Sequence, residues 1–204
     1  MNDLTDEEKA ERIKQWWSEN GIAIAAGLIL GIAGLLGWNW WSDREEARAQ
    51  AASEMYQALQ AAAQTGQKER AGELADAVIE QGRGTPYRAL AWIYRAEAAM
   101  SRGDTEATLE ALRAARDAAP DRGYREIVSL RLARQLIVAE RLDAAQAALA
   151  DIGSPAFVGL RRELEGDLAR ARGDLELARE RYREALDAGH SPEYLRLKHE
   201  EITA

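Results

Sequence analysis

The sequence predicts an all-α protein: a single N-terminal transmembrane helix followed by a helical-repeat solenoid. Three observations carry this reading. Residues 20–42 hold no charged side chain, in a chain that is 30% charged overall. Residues 43–204 are dominated by alanine, leucine, glutamate and arginine, and none of their stretches alternates with the period of two that a half-buried strand requires. In that same portion, small and large residues recur about every 34 positions, the mark of stacked helix pairs.

The apolar core of the uncharged run, residues 22–41, is long enough as a helix, at about 1.5 Å per residue, to cross a hydrocarbon layer of about 30 Å once. Trp16 and Trp17 precede it, and Trp38, Trp40 and Trp41 close it, so five of the six tryptophans fall at the two expected interfaces. A buried core helix has no need of such a girdle. A cleaved signal peptide fits poorly as well: the first 21 residues hold three basic side chains against six acidic ones, and bulky residues 38–41 stand where a peptidase needs small ones. The segment therefore reads as an uncleaved anchor. Gly27, Gly31, Gly34 and Gly37 follow at steps of four, three and three, which lines them along one helix face where another helix backbone could approach.

Before the span, residues 1–21 read as a cytoplasmic amphipathic tail. Thr5 and Glu8 form a capping-box pair, Ala10, Ile13, Trp16 and Trp17 recur at helical spacing, and Asn20-Gly21 is the expected stop. Lys9, Arg12 and Lys14 before the span outnumber Arg44 and Arg48 just after it, which favours a cytoplasmic N-terminus and a soluble bulk outside the cytoplasm.

Residues 42–85 read as a membrane-proximal helical pair, with helices at 43–64 and 68–81, and residues 86–204 as repeats closed by a C-terminal capping helix at 192–203. Thr85-Pro86, Ser154-Pro155 and Ser191-Pro192 are expected helix starts, each a capping residue followed by proline at the first helical position. The repeat register is set by Ala89, Trp92, Ala96, Gly103, Leu112, Ala115 and Pro120, with Thr108 at a position usually held by alanine. It returns at Gly159, Gly166, Gly173, Ala178, Tyr182 and Ala185. This pattern resembles the tetratricopeptide repeat. Residues 125–152 form a helix pair that matches less well, Ala147 agreeing best. These positions carry packing, the small residues permitting close approach and the large ones filling the seam. Two Arg-Gly-Asp triplets, 102–104 and 172–174, fall at equivalent turns and so have a structural explanation.

Catalytic chemistry finds little support. The chain has no cysteine, its two histidines, His190 and His199, are not adjacent on one helix face, and no glycine-rich phosphate loop occurs. No catalytic, cofactor-binding or metal-binding residue is expected. The first 21 residues contribute −3 of the net charge of −8, leaving −5 on the rest, so nucleic acid is an unsuitable partner. What remains is a protein-binding surface. The first helix of each pair should line a concave groove, formed by Leu90, Ile93, Glu97 and Met100 in one repeat and by Leu160, Glu163, Asp167 and Arg170 in the other. Ile93 and Glu97 stand where carboxylate-clamp grooves carry lysine and asparagine, so a reader of C-terminal carboxylates is disfavoured.

Taken together, residues 13–16, Asn20-Gly21, the Gly27/Gly31 spacing, Gly37-Trp38 with Trp41, Tyr87 with residues 89–91, residues 130–134, Gly166-Asp167 and Gly173-Asp174 resemble the YfgM-like family, ancillary SecYEG translocon subunits of the bacterial inner membrane. The resemblance runs nearly end to end. It implies a periplasmic soluble domain and no catalytic residues. The partners it implies are the SecYEG translocon, a PpiD-like membrane-anchored periplasmic chaperone and emerging envelope proteins. A scaffold of another envelope machine, for cell-wall synthesis or cytochrome maturation, would show the same anchor and repeats; an enzyme is the alternative of a different class.

Overall fold

A computed structural model describes residues 6–190 and 192–203. Its elements are α1 (Asp6–Gln64), α2 (Lys68–Gln81), α3 (Pro86–Ser101), α4 (Thr105–Asp117), α5 (Arg122–Val138), α6 (Leu142–Ala150), a 3-10 turn (Pro155–Phe157), α7 (Val158–Ala171), α8 (Leu175–Asp187) and α9 (Glu193–Thr203). The chain divides into two units, Met1–Ala47 and Arg48–Ala204. The capping contact expected between Thr5 and Glu8, and the cap expected at Ser191, lie outside the described residues.

The first unit is the N-terminal part of α1. The helix passes through Asn20-Gly21 without a break, so that pair is not the stop the sequence suggested. The Asn20 amide donates to the Trp16 carbonyl at 2.9 Å, a back-bond that suits an asparagine inside a helix. The apolar side chains of the span face outward, Ile22 being 84% and Leu30 72% exposed. Such a surface is stable in lipid, where only a backbone that satisfies its own hydrogen bonds can cross. Trp38 and Trp41 stack with centroids 5.4 Å apart, and the Arg44 guanidinium lies 5.6 Å from the Trp40 ring. A Cβ placed on Gly27, Gly31, Gly34 or Gly37 would meet nothing within 4 Å, so this face is open.

The second unit is a stack of helix pairs. Leu59 and Ala62 of α1 share a core with Ala71, Ala75 and Val78 of α2 and with Ala91 of α3. The pairs α3–α4, α5–α6 and α7–α8 follow, each packed on the next, and α9 closes the stack against α8. The largest core runs from Ala96 and Leu109 through Leu132 and Leu136 to Leu164, and Trp92 lies half-buried against it. Thr108 fits its crowded position by turning its hydroxyl back onto the Asp104 carbonyl at 2.7 Å.

One turn design recurs. Gly103 and Gly173 adopt φ of 74° and 83°, and the following residues, Asp104 and Asp174, donate their amides to the Ala99 and Ala169 carbonyls five positions back. This left-handed turn ends one helix. The same aspartates then open the next, each carboxylate accepting an amide three residues on at 3.0 Å, from Ala107 and Leu177. The Arg-Gly-Asp triplets are therefore a stop, a reversal and a start. The middle pair makes the same turn with a non-glycine residue: Glu140 sits at φ 56°, and Arg141 donates to the Leu136 carbonyl at 2.8 Å. Its poor sequence match thus conceals an equivalent turn. Ala147, the best match in that pair, is exposed; Ala145 and Ala148 are the buried small residues, because α6 presents its neighbouring face to the core.

Two helix starts also differ from expectation. Thr85 precedes Pro86 with extended backbone, but its hydroxyl donates to the Gly82 carbonyl at 2.8 Å and accepts no amide. Buried there, it closes the preceding turn. Ser154 caps the 3-10 turn before α7, not α7 itself, accepting the Ala156 amide at 3.4 Å. Asp121 is the working cap after Pro120, accepting the Tyr124 amide at 2.8 Å.

Candidate protein-binding groove

The first helices of successive pairs place their non-core faces side by side. Tyr56 and Gln60 from residues 48–64 of α1, Leu90, Ile93 and Glu97 from α3, and Tyr124, Ile127 and Arg131 from α5 enclose a concavity of about 420 Å³. A second, of about 160 Å³, continues along α3 and α5 through Met100, Arg134 and Gln135 and shares Ile93, Glu97 and Arg131 with the first. The lining is apolar and aromatic with few charges. Arg131 reaches Glu97 at 3.4 Å, and the Gln135 amide lies 3.4 Å from the Met100 sulfur. Met100 is 51% exposed and Ile127 39%. Burial pushes the Tyr56 hydroxyl pKa up, with Tyr124 adding to it. All four residues expected from α3 thus line these two adjoining concavities, Leu90 the first, Met100 the second, and Ile93 and Glu97 both.

The α7 residues divide: Leu160 and Glu163 do not line an open surface, whereas Asp167 and the exposed Arg170 line a concavity of about 440 Å³ with Arg134, Ile137 and Val138. Leu160 packs against the central core. Glu163 is almost wholly buried at 1% exposure. One of its carboxylate oxygens lies 2.7 Å from His190 Nε2 and accepts the Tyr194 hydroxyl at 3.1 Å, while the other accepts Lys198 Nζ at 3.1 Å. Asp167 takes the same ammonium on both oxygens, at 2.7 and 2.8 Å, and accepts the Tyr182 hydroxyl at 2.8 Å. Arg170 pairs with Glu201 at 3.1 Å. The C-terminal helix therefore covers Glu163 and pairs with Asp167 and Arg170 at the edge of the same face, because α9 takes the place that the first helix of a further repeat would take.

These contacts set the local electrostatics. Burial raises the Glu163 pKa, but the hydrogen bonds from His190, Lys198 and Tyr194, with the Lys198 charge, outweigh it and hold the carboxyl below its ordinary range. Burial lowers Lys198, yet Asp167 and Glu163 hold it above the usual lysine value. Glu126 is a further buried carboxylate that the sequence did not single out. It accepts the Gly153 and Ser154 amides at 3.2 Å and Arg122 Nε at 2.9 Å, so it pins the turn between α6 and α7. Burial raises it as well, and these donors bring it below the ordinary value.

Tyr124, Ile127 and Arg131 of the groove, and Tyr194 and Lys198 of the cover, were not singled out from the sequence. The repeat period points to two of them: Arg131 stands 34 residues after its partner Glu97, and Lys198 stands 35 after Glu163.

The family model for a tetratricopeptide repeat-like domain matches residues 14–204. The chain belongs to that family. Its match takes in most of the apolar helix as well as the repeats. Three relatives are each named ancillary SecYEG translocon subunit. That of Haemophilus influenzae is 26% identical over 186 residues, covering 91% of both chains. That of Escherichia coli K12 is 26% identical over 187 residues, covering 92% of this chain and 90% of its own. That of Aggregatibacter actinomycetemcomitans is 28% identical over 182 residues, covering 89% of each. No solved structure matches the chain. Homology to these subunits, with one helix among the described residues long and apolar enough to cross a membrane, supports a single-pass inner-membrane protein. Among the described residues no group of three or more metal-ligating side chains could hold an ion.

Proposed function

We propose that this protein is a non-enzymatic, membrane-anchored adaptor of the Sec translocon that helps pass emerging envelope proteins to periplasmic chaperones, a PpiD-like chaperone among them. The observation that carries the reading is the near full-length similarity to three ancillary SecYEG translocon subunits. The open apolar groove over α3 and α5 supports it, since it offers a protein or peptide ligand a surface with few charges. Leu90, Ile93, Glu97 and Met100 are the contacts we assign to that ligand. The N-terminus is cytoplasmic and residues 43–204 are periplasmic, in keeping with three basic residues before the span against two just after it.

Purification of the full-length chain in mild detergent tests the partner assignment. Translocon and chaperone subunits should accompany the wild-type protein; recovery of a cell-wall or cytochrome-maturation assembly in their place overturns it. Ile93→Asp should cut partner recovery severalfold while changing stability by about 1 kcal/mol, because Ile93 lines the groove and is only half-buried. Trp92→Ala should instead destabilise the domain by about 3 kcal/mol, the low end for an aromatic truncation, since Trp92 packs against the core from a half-buried position. Equal losses of melting temperature would mean that the two faces of α3 are misassigned.

Protease added to spheroplasts should digest residues 43–204 and leave a small membrane-protected fragment. A chain that resists until lysis has the opposite orientation.

The glycine face is a second proposed contact, with a partner membrane helix. Gly27→Leu with Gly31→Leu should preserve insertion and lower co-purification of the membrane partner, because the added side chains hold the two backbones apart. Unchanged recovery would leave this face to lipid.

A further inference from the structure

We infer that the α7–α8 pair carries a lysine-reading helix seat, filled here from within by α9, which accepts a lysine-bearing amphipathic helix of a partner protein when α9 leaves. The seat stands apart from the open groove over α3 and α5. Its polar centre is fully built. The Lys198 ammonium is held by both oxygens of Asp167 and one of Glu163, and it lies 5.9 Å from the Tyr182 ring centroid and 5.4 Å from that of Tyr194. Two carboxylates and two aromatic faces around a single ammonium form a cation site. When α9 leaves, Glu163 and Asp167 lose the ammonium they share, so a partner must bring positive charge to the same point.

The present occupant is held by polar contacts and buries little apolar surface. Leu195 is the one fully buried apolar side chain of α9 among the described residues, whereas Tyr194 is 47% and Leu197 59% exposed. Ile202 packs beside it only in part, and two arginine contacts, Arg170 with Glu201 and Arg179 with the Ile202 carbonyl at 2.8 Å, tie down the end. Eleven residues form a marginal helix in water without tertiary support, so α9 belongs to the least stable part of the unit. The surface beneath it is the ordinary stacking face between repeats: Arg131 meets Glu97 across α3 and α5 much as Lys198 meets Glu163 across α7 and α9. That face is built to receive a helix, whichever chain supplies it.

Mass action favours a partner over a second copy. A tethered α9 competes at a high effective concentration, so an identical helix in trans gains nothing over it. A partner helix with lysine in the same register and more than one large apolar residue to bury can displace it.

The test uses the full-length protein in detergent and a labelled peptide with the sequence of residues 192–203. In a Lys198→Ala chain the seat has lost its own ammonium, and the peptide should bind saturably and at least tenfold more tightly than to wild type. Lys198→Gln, which keeps the side-chain bulk, should give the same order. Replacing the peptide's lysine by glutamate, or adding Asp167→Asn to the Lys198→Ala chain, should weaken binding at least tenfold. Equal binding to wild-type and variant chains, or indifference to the peptide's charge, overturns the proposal. Concentration-dependent self-association of wild type that Lys198→Glu abolishes would give the seat to a second copy and overturn the partner assignment.

Discussion

Replacing Tyr182 by alanine should destabilise residues 48–204 by about 3–5 kcal/mol, among the largest losses open to a single substitution in this protein. Tyr182 is wholly buried at 0% exposure, in a core with Ala169, Ala178, Ala185 and Leu195. Its ring lies directly on the backbone of α7: a Cβ added at Gly166 would stand 2.4 Å from Cε1 and 2.5 Å from Cδ1. The glycine thus makes room for the ring, and the ring fills what the glycine leaves. Its hydroxyl is also committed, donating to Asp167 at 2.8 Å. The reciprocal change, Gly166→Ala, should cost about 1–3 kcal/mol by overpacking. The pair should be strongly non-additive, since a smaller side chain at 182 removes the clash that alanine at 166 creates. Urea melts of the two single variants and the double variant measure this; simple additivity would mean that the ring and the glycine do not share the site.

Acid should release α9 before it unfolds the repeats. Glu163 is held below its ordinary range in the folded chain, so at acid pH the unfolded chain binds the proton more readily. Its contribution is complete above the unfolded value of about 4.3 and is lost as pH falls through the lower folded value. Lys198, held above its ordinary value, works in the opposite direction. Its contribution is complete below about 10.4 and is lost as pH rises through the raised value. Between these limits α9 is seated best. Hydrogen exchange, corrected for the intrinsic effect of pH, should show the amides of α9 losing protection below about pH 4 while those of α5 keep theirs. Glu163→Gln should lower protection of α9 at neutral pH and flatten the acid limb. An α9 that stays protected in acid as well as α5 would mean that Leu195 and Ile202 hold it without the carboxylates.

Much of the fold was legible along the chain because its signals are local. An uncharged run with tryptophans at both ends needs no tertiary information to be recognised, and neither do glycine-aspartate turns between helical patterns. The groove was legible in part. Leu90, Ile93, Glu97 and Met100 follow one face of α3, and helical periodicity alone places them together. The partners across the groove, Tyr124, Ile127 and Arg131, come from α5, and nothing within α3 announces them.

By itself the sequence determined the apolar span, the all-helical character, the turns at Gly103 and Gly173 and the small residues that let helices pair. All of these follow from steric and hydrophobic preferences acting within a few residues of chain. Only the tertiary structure decided that Glu140 makes the same turn without a glycine, because the packed pair on either side imposes the conformation that the residue itself disfavours. It also decided that the face expected to line a groove in both repeats is open along α3 and covered at Glu163 in α7. A carboxylate at a repeat position looks alike in both repeats when read along the chain. Its fate depends on which cation arrives from 31 to 35 residues away, and at Glu163 and Asp167 that cation is the ammonium of the chain's own last helix.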